Sequence, residues 1–62
     1  MKKYTVEMHM TGVEKREFST DIIEMAFECY RQWKKEVRGY YRLLKYLQVV
    51  DNSTSEVIEF YK

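Results

Sequence analysis

Apolar and polar residues alternate strictly at the start of the chain. Tyr4, Val6, Met8 and Met10 fall on one side, Thr5, Glu7 and His9 on the other. That period of two predicts a half-buried strand. Thr11-Gly12 breaks it. Val13 to Phe18 alternates again, with Glu14, Arg16 and Phe18 opposite Val13, Lys15 and Glu17. So many charges suit an edge strand, where they discourage pairing with other molecules.

Ser19-Thr20-Asp21 reads as a helix start, since each side chain can accept a bond from the free N–H groups of a first turn. Asp21 and Glu24 have the spacing of a capping box. The predicted helix runs from about Asp21 to Arg38. At 3.6 residues per turn, Ile22, Ile23, Ala26, Cys29, Tyr30, Trp33 and Val37 form one stripe. Glu24, Glu28, Arg31, Gln32, Lys35 and Arg38 lie opposite, with Met25 and Phe27 on the shoulders. Acidic residues come first and basic residues last, as the helix dipole prefers. Gly39 stands where a left-handed C′ residue would end the helix.

Tyr40 to Val50 reads as a long strand, although Tyr40, Leu43, Leu44 and Leu47 also fit a helical face. Asp51-Asn52-Ser53-Thr54-Ser55 and then Glu56 to Tyr61 complete a turn and a return strand. The order is β-β-α-β-β, or β-α-β-β if Val13–Phe18 is loop. It predicts an α+β domain over residues 1–62, with an antiparallel sheet of three to four strands and one amphipathic helix on one face.

If Val50 pairs with Glu56, one face of the last hairpin carries Leu47, Val49, Val57 and Tyr61. The other carries Leu44, Tyr46, Ile58 and Phe60, with Tyr46 across from Phe60. A slip of one residue would exchange the sets. Either way both faces hold large apolar groups, and one helix of about 27 Å covers only one face. The uncovered set Leu44, Tyr46, Ile58 and Phe60 is therefore the expected contact surface for a partner, most simply a second copy.

Size sharpens that expectation. A chain of 62 residues buries only about 60% of its unfolded surface, so its stability is marginal without extra help. One cysteine excludes an internal disulfide, and one histidine far from it argues against a metal. Ten aromatic residues supply much area per side chain, which makes a small core adequate and argues against disorder. Met1-Lys2-Lys3 imitates the start of a signal peptide, but Glu7 and His9 interrupt any apolar stretch behind it. No apolar run approaches the roughly 20 residues of a membrane span. A cytoplasmic location is expected.

The net charge of +1 selects no partner class, but its distribution is uneven. From Arg31 to Lys45 only Glu36 interrupts the positive run. Arg31, Lys34, Lys35, Arg38 and Arg42, with Tyr40, Tyr41 and Tyr46 nearby, could serve a nucleic acid: cations for phosphates, rings for bases. No nucleic-acid-binding motif accompanies them, and a solvated helix face whose charges complement the dipole is the simpler explanation.

Candidate chemistry is sparse. Glu7 and His9 share a strand face, and Glu56 and Glu59 are near in sequence, but an acid–base pair needs a sheltered cleft. Cys29 falls inside the apolar stripe and reads as an inert core thiol. Trp33 and Tyr30 are core anchors by spacing. Ser53-Thr54-Ser55 is a turn without a base partner, and Asn52-Ser53-Thr54 matches the glycosylation pattern without a signal peptide to bring it to the enzyme. In composition the chain resembles short Lys-, Glu- and Tyr-rich proteins of bacteria and their phages. The expected function is a non-enzymatic, self-associating interaction module without a cofactor. Weak nucleic-acid binding is the alternative, and a regulatory enzyme subunit a distant third.

Overall fold

The computed structural model describes residues 2–62; Met1, with which the signal-like stretch begins, lies outside them. Strands β1 (Tyr4–Met10) and β2 (Arg16–Thr20) precede helix α1 (Ile23–Val37). A 3-10 segment (Arg38–Leu43) leads into β3 (Leu44–Asp51) and β4 (Glu56–Tyr61). All pairings are antiparallel, and the sheet order is β2-β1-β3-β4. This is the α+β fold expected, in the order β-β-α-β-β.

The core sits on the two central strands. Val6 faces Val49 and Met8 faces Leu47 across β1 and β3, and all four are buried. Ala26, Tyr30 and Val37 of α1 pack into the same cluster, together with Leu44. Phe27, Cys29 and Trp33 line its margin. The alternation of β1 and the stripe of α1 thus close on each other from Ala26 onward.

The helix begins later than its capping signals suggest. Ile22 stands at the N-cap in an extended conformation, without a side-chain cap. Thr20 Oγ1 instead accepts the Ile22 N–H at 3.1 Å, and Asp21 Oδ1 accepts the Lys3 N–H at 2.9 Å. Asp21 is therefore spent on the N-terminal strand, and no capping box with Glu24 forms. Ile22 and Ile23 are left exposed at the end of the stripe.

Three further expectations shift. β2 starts at Arg16, because Val13 belongs to the turn in which Gly12 adopts φ 77° and the Val13 N–H bonds Met10 O at 3.2 Å. Gly39 is not left-handed; the chain winds on as 3-10 helix, kinked at Tyr40 (φ −122°, ψ 25°). The expected strand therefore begins at Leu44 rather than Tyr40, where the Thr11 N–H bonds Leu43 O at 2.7 Å. In the last turn the left-handed residue is Ser55 (φ 61°), with Asp51 Oδ1 accepting the Ser53 N–H.

Register follows from two irregularities. Between β1 and β3, His9 pairs with Tyr46 but Met10 pairs with Leu44, so Lys45 is an extra residue. Between β3 and β4, Val50 pairs with Val57 and Val49 with Glu59, so Ile58 is extra. Each extra residue reverses the side-to-side parity beyond it. Leu44 thereby joins Met10 on the helix side and is buried, which removes it from the expected contact surface. Val57, expected inside with Leu47, stands beside Val50 on the outer face. The expected Tyr46–Phe60 pairing becomes a diagonal one, because Phe60 lies across from Gln48.

Leu47 is fully buried. Leu47→Ala is expected to cost about 2–5 kcal/mol, enough to unfold much of a small domain, whereas Ile22→Ala at the exposed N-cap should change stability by less than about 0.5 kcal/mol. Urea denaturation of the two variants checks the contrast.

Candidate interaction surfaces

The outer face of the sheet is divided. On β2 and β1 it is polar and internally bonded. Glu7 accepts from Gln48 Nε2 at 2.7 Å and from Lys15 Nζ at 3.3 Å. The Thr5 and Ser19 hydroxyls bond at 3.1 Å, and Asn52 Nδ2 donates to Thr5 Oγ1 at 2.8 Å. This is the polar side that the alternation of β1 predicts: hydroxyls, two side-chain amides and a carboxylate lie on it. Partial burial pushes the Glu7 carboxyl up, but the bonds from Gln48 and Lys15 and the Lys15 charge outweigh it and hold it below the usual range.

On β3 and β4 the same face turns apolar. Val57 and Phe60 stand 49% and 55% exposed, and Ile58 in the bulge 36%. Tyr46 and Val50 adjoin them, half-buried. Of the expected contact residues, the structure places Tyr46 and Phe60 together, keeps Ile58 at the edge and withdraws Leu44. Val57 was missed because its face depended on a bulge. β4 is also an outer strand of the sheet, and α1 packs on β3, β1 and β2 rather than over it.

A second surface lies where α1, the 3-10 segment and the last residues meet. Residues 31–45 hold six cations and one acid, the remainder five cations and nine acids, a net of +5 against −4. Lys34 Nζ lies 4.7 Å from the Tyr61 ring centre and 5.8 Å from that of Tyr30. Lys62 Nζ sits 4.4 Å over Tyr41 and donates to Tyr41 O at 2.6 Å. The Tyr41 and Tyr61 rings meet edge to face at 5.6 Å. Burial, then Glu59 and Tyr61, push the Tyr30 phenol up. Arg38, Tyr40, Tyr41, Arg42 and Leu43 border a shallow hollow of about 380 Å³. Of the cations expected to serve a nucleic acid, Lys34, Arg38 and Arg42 come together here with Lys62, which lies outside the run from Arg31 to Lys45 and was passed over. Arg31 and Lys35 stand exposed on α1 without a ring contact.

Other chemistry finds little support among the described residues. His9 stacks edge to face on Tyr46 at 5.9 Å, and no group of three metal-ligating side chains is assembled. Cys29 borders an open groove of about 290 Å³ with Phe18, Met25, Glu28 and Gln32; burial pushes its thiol up against the pull of Arg16, which leaves a poor nucleophile. Among the described residues no helix is long and apolar enough to cross a membrane. Comparison of the chain with protein-family models, curated proteins and solved structures finds no match.

The Glu7 network makes an acid prediction. Its lowered folded pKa stabilises the fold fully above the ordinary glutamate value and is lost as the pH falls through the lowered one. Chemical denaturation across that acid range should show a steeper loss of stability for the parent chain than for Glu7→Gln.

Proposed function

We propose that this chain is a non-enzymatic interaction module that self-associates through β4 and the apolar half of the outer face. One observation carries the reading: Val57, Ile58 and Phe60 are all exposed on a single outer strand that the helix does not cover. Single exposed apolar residues are ordinary, whereas a contiguous group on an unpaired edge invites another strand. A cytoplasmic setting belongs to the same reading, because the lone Cys29 makes no use of an oxidising compartment.

A second copy is the occupant that the strand's own sequence fits. In an antiparallel β4–β4 pairing centred on Glu59, Ile58 of each copy faces Phe60 of the other. These are apolar cross-strand pairs, which stabilise. Glu59 then faces Glu59 of the second copy, a like-charge opposition that weakens the association. The interface is the same on both copies, as a two-fold requires.

Sedimentation at micromolar concentration should give twice the 7.7 kDa of one chain. Phe60→Glu should return a folded monomer, and Glu59→Gln should tighten the dimer. A parent chain that sediments as a monomer throughout would remove the proposal.

A further inference from the structure

We infer that the positive end of the molecule binds single-stranded nucleic acid, with Arg38, Arg42, Lys34 and Lys62 on phosphates and Tyr40 and Tyr41 as base platforms. The reading is independent of self-association through β4. It begins with charge separation. The register places Tyr4, Thr20, Asp51 and Glu56 together at one end of the sheet, and Met10, Arg16, Leu44 and Tyr61 at the other. The 3-10 segment, the end of α1 and Lys62 join that second end.

The cations there are not neutralised. Ion pairs among the described residues use Lys2, Lys15 and Arg16; Lys34, Arg38, Arg42 and Lys62 enter none. Glu36, the one acid of the run, lies 3.5 Å from Arg16 on β2. The partners of Lys34 and Lys62 are aromatic rings, which orient an ammonium group without cancelling its charge. Uncompensated cations of this kind favour a polyanion.

Rings separate a nucleic acid from other polyanions. Tyr40 is 59% exposed at the kink of the 3-10 segment, and Tyr41 is exposed beside it. Arginines precede and follow them at positions 38 and 42, around the hollow that the segment encloses. Phosphates beside stacked bases match that alternation, and a duplex, whose bases are already stacked inside, does not. An acidic peptide would use the cations and leave the rings idle.

The experiment is fluorescence anisotropy of a short labelled oligothymidylate titrated with the full chain. With four phosphate contacts and a slope of about −0.7 each, affinity should fall roughly 50-fold between about 50 and 200 mM salt. Arg38→Gln with Arg42→Gln should flatten the slope by about 1.4. Tyr40→Ala should weaken binding roughly tenfold and leave the slope unchanged, a split that a merely cationic surface would not show. Circular dichroism confirms that each variant is folded, and Phe60→Glu should bind as the parent does. The inference is overturned by absence of binding at the lower salt, by unchanged binding in the double arginine variant, or by a polyglutamate peptide that competes as well as the unlabelled oligonucleotide.

Discussion

The structure depends on a mismatch of widths. An α-helix is about 10 Å across, while strands lie about 4.8 Å apart, so one helix shelters two strands well and a third in part. The order β2-β1-β3-β4 sets β1 and β3 in the middle, and the residues buried beneath the helix come chiefly from those two strands: Val6, Met8, Leu44, Leu47 and Val49. β2 retains some cover through Phe18 and Thr20. β4 has almost none, and only Tyr61 at its end packs against the core cluster.

That mismatch orders the rest of the surface. Where the outer face backs the well-sheltered strands it is polar and bonded to itself, through Glu7, Gln48, Thr5, Ser19 and Asn52. Behind β3 and β4 it passes to Tyr46, Val50, Val57 and Phe60. The ends differ as the sides do. Asp21 holds Lys3 at one end, whereas Lys62 is drawn onto Tyr41 at the other. Polar bonding keeps part of the surface occupied with itself, and the apolar strand and the cationic end are what remain available.

The sequence was most informative where pattern and packing coincide. Strict alternation in β1 located it to the residue, and the helical stripe identified Ala26, Tyr30 and Val37 as core. It was least informative where a local signal had a competitor. Asp21 had the spacing of a cap but found the Lys3 N–H closer in space, a contact across 18 residues that no local rule sees. Gly39 had the place of a helix terminator, yet the chain continued as 3-10 helix, a conformation that asks for no positive φ. The apolar set around Tyr46 and Phe60 was legible because two shifts of one residue cancel: Val50 pairs with Val57 rather than Glu56, and Ile58 is extra, so Phe60 keeps the expected side. Leu44 and Val57 were misplaced by single extra residues, Lys45 and Ile58, and a bulge leaves no periodic trace. Lys62 escaped notice because its neighbours at the basic end come from distant parts of the chain.

The two borders of the sheet have opposite characters, and that bears on how far assembly can proceed. β2 is a short strand whose Arg16 and Glu17 are tied into ion pairs with Glu36 and Lys15, features that blunt an edge. If copies join at β4, each molecule consumes its one receptive border in the first encounter, and the resulting eight-stranded sheet is flanked by two β2 strands. Such an arrangement closes upon itself after a single step. Filament growth, the usual hazard of an uncovered strand, would have no site from which to continue.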